Sequence, residues 1–224
     1  MRHDVATRRV LYEIPQMQSV HVRQDSFIGA DGSPLAMAIY DPPLPVAFPA
    51  PVVVLIAGYP DAGFEKHVGC KFMDMEWTIS MAQLIAMSGM TAVTHTNRDP
   101  VSDAGALLTH WAAGGKRVGI WATSGHSPVA LSVADRAACA VFINPITADV
   151  LPQAPLLLVR SGQDQTPGLN AALDAFVVRA LAENRAFSLV NYPEAPHSFD
   201  LHLDSPETRR ILQQGLDFLR AHLR

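Results

Sequence analysis

The run Val52-Val-Val-Leu-Ile-Ala-Gly58 contains no polar side chain. A strand with one wet face alternates, so an unbroken apolar run between a proline and a Gly-Tyr-Pro turn reads as a strand covered on both faces. The rest of the chain supplies the covers. Further strands are predicted at Met90–His95, Arg117–Thr123, Ala138–Ile143, Pro155–Val159 and Ala186–Val190. Helical spacing lies between them. Trp77, Met81, Leu84 and Ile85 recur along one face and stop at Gly89. Ser102 is positioned to cap a helix carrying Leu107, Leu108 and Trp111, which ends at Gly114-Gly115. Helices are also predicted over 125–136, along Leu169, Leu173, Phe176, Val177 and Ala180, and after Ser205-Pro206, with Leu212, Leu216, Leu219 and Leu223 on one face. Strict alternation of this kind predicts an α/β fold, a mostly parallel twisted sheet with helices on both faces.

The N-terminal part differs. Val20–Ile28 and Leu35–Tyr40 flank Asp31-Gly32 and read as an antiparallel hairpin at a sheet edge. Asp41 to Pro51 is proline-rich and unable to join a ladder. Residues 59–75 read as a long loop. Residues 1–18 carry mixed charge without periodicity and read as an N-terminal arm, its first few residues loose, on a single domain spanning 19–224.

Composition narrows the function classes. Of 224 residues, 49% are apolar, enough for a large core, and 17% are charged, too few for disorder. The net charge of −4 without a basic block argues against nucleic acid as a partner. No apolar run reaches the roughly 18 residues that cross a membrane. Met1–Val10 has no apolar segment of the secretory type, and Cys70 and Cys139 are far apart in sequence, so a reduced cytoplasmic chain is the simplest expectation. His67 and Cys70 have a metal-ligand spacing but no second pair completes a site, so no metal is expected. Without Gly-x-Gly-x-x-Gly or a phosphate loop, a nucleotide cofactor has no support.

Chemistry concentrates after the strands. Val118 to Leu131 reads as strand, sharp turn and helix, with Ser124 at the apex, exposed at the carboxyl edge of the sheet. Ser124 fits both a helix cap and a nucleophile. Ser127 is the poorer nucleophile, because Pro128 leaves no amide to donate to an oxyanion, whereas Ser124 is followed by Gly125. His197, in the loop between the last strand and the last helix, is the candidate general base. Asp164, just past the strand ending at Val159, is the candidate carboxylate partner. Asp149 is the weaker acid, lying in the short link 144–154, and Asp200 and Asp204 follow the histidine. Tyr59 after the first parallel strand and Gly125 after the serine are candidate oxyanion donors. Phe64, Phe72, Met73 and Trp77 suit an apolar substrate pocket or plain core packing. His126 stands two residues after Ser124, where a small residue is usual. It either packs beside the turn or lines the cleft.

Gly58-Tyr-Pro-Asp61, Trp121-Ala-Thr-Ser-Gly-His126, Val159-Arg-Ser-Gly-Gln-Asp164 and Ala195-Pro-His-Ser-Phe199 together resemble the α/β-hydrolase superfamily, nearest its dienelactone-hydrolase-like branch. The resemblance spans nearly the whole chain. It implies about eight strands, no cofactor, and a Ser124–His197–Asp164 triad with Tyr59 and Gly125 as oxyanion donors. Dienelactone hydrolases proper use cysteine as nucleophile, which this chain does not. Cap domains of the superfamily are inserted where 144–154 lies, so no cap and an open site are expected. The implied activity is hydrolysis of small carboxylic esters or lactones through an acyl-enzyme. A peptidase or thioesterase with the same groups, or a ligand-binding protein without turnover, are the alternatives. Carbon–halogen or epoxide hydrolysis fits poorly, since those relatives carry aspartate at the elbow.

Overall fold

A computed structural model describes residues 4–43 and 50–224. The strands are β1 (Val22–Ile28), β2 (Pro34–Tyr40), β3 (Val52–Leu55), β4 (Thr91–His95), β5 (Val118–Thr123), β6 (Cys139–Ile143), β7 (Leu156–Ser161) and β8 (Phe187–Tyr192). They form one sheet in the order β1-β2-β4-β3-β5-β6-β7-β8. The β1–β2 and β2–β4 pairs are antiparallel and all others parallel. The edge hairpin therefore stands where Asp31-Gly32 predicts it, with Gly32 at φ 82°. Every residue of β3 is buried, as its unbroken apolar run requires.

The helices are α1 (Asp4–Thr7), α2 (Asp61–Val68), α3 (Glu76–Met87), α4 (Pro100–Ala112), α5 (Ser127–Val133), α6 (Leu169–Ala182), α7 (Phe199–His202) and α8 (Pro206–Leu223). Two separate apolar cores result. One face of the sheet buries Met81, Leu84 and Ile85 of α3 and Leu212, Leu216 and Leu219 of α8. The opposite face buries Leu107 and Leu108 of α4, Leu131 of α5 and Leu173 of α6. The link 144–154 contains neither helix nor strand, so nothing caps the sheet there.

Three expectations are corrected. The loop predicted over 59–75 contains α2 and a 3-10 turn at Phe72–Asp74. Pro60 sets the entry, Asp61 puts a carboxylate at the positive end, and Gly69 at φ 91° ends it. Only Asp61 and Val68 of α2 are buried, so no apolar stripe announces it. The cap of α4 is Asp99, which accepts from Ser102 N–H at 3.3 Å, with Pro100 opening the first turn. The helix predicted over 125–136 is three pieces, 3-10 turns at Ser124–His126 and Ala134–Arg136 on either side of α5.

From Val5 on, the N-terminal segment lies against the domain. Ala6, Val10 and Met17 are buried, Val10 N–H donates to Ser80 Oγ at 2.9 Å, and Arg9 reaches Gln83 at 2.9 Å. The proline-rich stretch falls partly at 44–49, outside the described residues, as do the first three residues.

Helix α8 approaches the sheet through Gly215. A Cβ there would stand 2.8 Å from the ring of Trp121, which is fully buried in β5. Gly215→Ala gains about 1 kcal/mol of helix propensity but overpacks a rigid indole at about 1–3 kcal/mol. Net destabilisation is expected, read as a lower urea midpoint at unchanged slope. A raised midpoint would show that α8 can shift away from Trp121.

Candidate active site

In the sheet order β4 and β5 flank β3, so the chain crosses from one side of β3 to the other. The carboxyl ends of β3 and β5 therefore border the crevice where ligands of open α/β sheets bind. Thr123 is still extended at φ −135°, Ser124 is left-handed at φ 46°, and Ser127 is helical at φ −65°. One residue makes the reversal. For a side-chain-bearing residue that conformation costs about 1–3 kcal/mol, and it lifts the Ser124 hydroxyl out of the strand.

Ser124 Oγ lies 2.8 Å from His197 Nε2, and His197 Nδ1 lies 2.6 Å from Asp164 Oδ2. The Asp164 side chain is fully buried and that of His197 is 28% exposed. Asp164 Oδ1 accepts the Thr166 N–H at 2.9 Å, so the carboxylate cannot rotate freely. The two loops are laced together by backbone bonds, Gly162 N–H to Tyr192 O at 2.8 Å and Gln163 N–H to Ala195 O at 2.9 Å. The chain Asp164–His197–Ser124 is thus a relay able to accept a hydroxyl proton at Nε2. Two of the other acids lie apart. Asp149 is exposed, and Asp204 pairs with Arg209. Ser127 Oγ is buried without a hydrogen-bond partner among the described residues, and Ser127 does not line the cleft.

The loop after β3 lies on the elbow. A Cβ at Gly58 would be 2.5 Å from His126 Cα and 2.7 Å from Gly125 O, so only glycine fits. The amides of this loop are committed in order. Ile56 N–H donates to Trp121 O at 3.2 Å, Ala57 N–H to His95 Nε2 at a long 3.5 Å, and Gly58 N–H to His126 Nδ1 at 2.8 Å. The next amide is that of Tyr59, whose phenol lies over Gly125.

His126 satisfies both expectations at once. Its ring packs 4.5 Å from Phe72 and 5.5 Å from Tyr59, centroid to centroid, and it also lines the cleft. The cleft, about 340 Å³, brings together Tyr59, Phe64, Trp77, Ser124, Gly125 and His197. Phe72 is buried behind His126, and Met73 packs on the core, so neither lines it. Val5, Asn144, Ile146 and Asp200 line it without having been expected there. Val5 belongs to a segment with no periodicity, and Asp200 carries no sequence signal beyond its nearness to His197. Among the described residues no cluster of three His, Cys, Asp or Glu side chains is arranged to hold a metal, and no helix is long and apolar enough to cross a membrane.

Burial holds His95 and His126 down at about 4, aided for His126 by its neighbour His95. Both accept backbone N–H groups and must stay neutral to do so. Between about pH 6.5 and 4 the unfolded chain therefore binds protons that the folded chain refuses. Stability is expected to be complete above pH 6.5 and to fall as pH drops, by up to about 2.7 kcal/mol per unit for two sites. Urea unfolding across this window checks it. In His126→Asn, whose amide oxygen can still accept from Gly58, the slope should fall by about half.

No protein-family profile matches the chain and no characterised protein matches its sequence. Solved structures do. A bacterial heroin esterase superposes with a TM-score of 0.71 at 15% identity, over 96% of this chain and 87% of that one. Esterase LipW from Mycobacterium marinum gives 0.71 at 16%, over 91% and 82%. Dipeptidyl peptidase 4 from Porphyromonas gingivalis gives 0.72 at 14%, over 91% of this chain but only 36% of that one. With one eight-stranded, mostly parallel sheet between two helical layers, the chain has the α/β-hydrolase fold.

Proposed function

We propose that the protein is a serine hydrolase of small carboxylic esters or lactones, close to the dienelactone-hydrolase-like enzymes but with serine as nucleophile. The observation that carries this is the unbroken relay from buried Asp164 through His197 to a serine held at φ 46° at the end of β5. His197 Nε2 takes the Ser124 proton as Oγ attacks the ester carbonyl. Asp164 accepts from Nδ1 and stabilises the imidazolium. Amides of Tyr59 and Gly125 receive the oxyanion. The tetrahedral adduct expels the alcohol, which leaves with the proton from His197. Water, deprotonated by the same nitrogen, then cleaves the acyl-enzyme. Only side chains, amides and water are used. The apolar lining and the uncapped link 144–154 support small, varied esters over a long buried substrate.

A fluorophosphonate probe is expected to label the native protein and not Ser124→Ala, and ester turnover should fall by about 10³-fold or more in that variant. Equal labelling of both would remove Ser124 from the mechanism. The likeness to dipeptidyl peptidase 4 favours amide cleavage as a second reading. A panel of an ester, a thioester and an aminoacyl amide separates the two.

The oxyanion role has its own test. Gly58→Ala forces the Tyr59 amide away from the elbow, since the methyl meets backbone at 2.5 Å. Loss of one donor should lower kcat by about 10²–10³-fold with less change in KM. An active Gly58→Ala would place the second donor elsewhere.

A further inference from the structure

Asp200 is a carboxylate that the proposed reaction does not use. It lies in the first turn of the short helix α7, three residues after His197, and is only 3% exposed. Its Oδ2 accepts the Trp77 indole N–H at 2.6 Å and its carbonyl accepts Leu11 N–H at 2.8 Å. It lines the same cleft as Ser124 and His197. Among the described residues lining that cleft it is the one carboxylate, and no lysine or arginine is present. The titratable groups that act on it are His197 and His202, and His67 and His126 also line the cleft. The lining also includes Tyr59 and Phe64, stacked on each other at 6.0 Å between centroids, and Trp77, bonded to Asp200.

A buried carboxylate bonded to the Trp77 indole, with only histidines as neighbouring titratable groups and no lysine or arginine lining a cleft that contains three aromatic residues, matches one ligand chemistry above others. Aromatic faces attract cations, and a desolvated carboxylate gains most from a charged partner. Resting on the esterase reading, we propose that the cleft selects esters carrying an ammonium group, which Asp200 accepts while Tyr59, Phe64 and Trp77 surround it. Burial raises the Asp200 carboxyl, and an ammonium ion beside it restores its ionised form. The ammonium group belongs either to the acyl part, as in an aminoacyl ester, or to the alcohol part.

Calorimetric titration of Ser124→Ala, which binds without turning over, tests this with two matched pairs. Leucine methyl ester against methyl 2,4-dimethylpentanoate reports an acyl-side ammonium. Acetylcholine against 3,3-dimethylbutyl acetate reports an alcohol-side one. In one pair the cation is expected to bind about tenfold or more tightly than its uncharged isostere. That ratio should collapse when Asp200→Asn is added. Asp200→Ser, which keeps an acceptor for the Trp77 indole, is the second variant should Asn not fold. A ratio near one in both pairs overturns the proposal, and so does a ratio that survives both substitutions. Binding is read without turnover, so failure of the wild type to hydrolyse any of the four esters sinks the esterase reading and leaves the cation preference separately decided.

Discussion

The contact between the loop after β3 and the turn after β5 governs the site. Gly58 meets the backbone of Gly125 and His126 at distances that leave no room for a methyl group. Everything proposed for catalysis hangs from that contact. It sets the loop that carries Tyr59 against the turn that carries the serine, and it joins two strands paired in parallel from Val52 with Val118 to Leu55 with Trp121. The left-handed Ser124 is tolerable because the surrounding sheet over-determines it: β5 is buried and paired on both sides.

The contact also accounts for a histidine two residues past the serine. A small residue is usual there because strand and helix backbones converge. Here the convergence is relieved on the other partner. Gly58 gives up its side chain, and His126 keeps one, with its Nδ1 on the Gly58 amide. His95 takes the preceding amide from the other side. Two neutral imidazoles therefore brace successive amides of one loop. A glycine at 126 would free the space but leave the Gly58 amide without that acceptor, at about 1–3 kcal/mol if it stayed buried.

Much of this was legible in the residues themselves. An unbroken apolar run such as Val52–Ala57 has only one comfortable environment, and strands of that kind end where the candidate residues stand. Ser124, Asp164 and His197 could be ranked because each follows its own strand, and Pro128 ruled out Ser127 on donor chemistry alone. Helix α2 was not legible, because it packs by its ends and not by a stripe. The cap of α4 was misplaced because Asp99 and Ser102 are both good cap residues, and only the φ of Asp99, −115°, decides between them. Asp200 is held at the cleft by contacts more than 120 residues apart in sequence, Leu11 to Asp200 and Trp77 to Asp200, which no local pattern encodes.

Those long contacts change what the N-terminal segment is for. Val10 is tied to Ser80 of α3, Arg9 to Gln83 and Glu76, and Tyr12 to Gln213 of α8. Helix α3 in turn presents Trp77 to Asp200, and Leu11 holds the Asp200 carbonyl. The segment thus closes a ring of contacts around α7, immediately after His197. In a hydrolase fold without an inserted cap, something must still form the far wall of the cleft. Here the chain's first helix supplies Val5, α2 supplies Phe64, and α7 supplies Asp200. These short elements, with Trp77 of α3, stand around the relay, so the chemistry of the wall can vary while the elbow and its partners stay fixed.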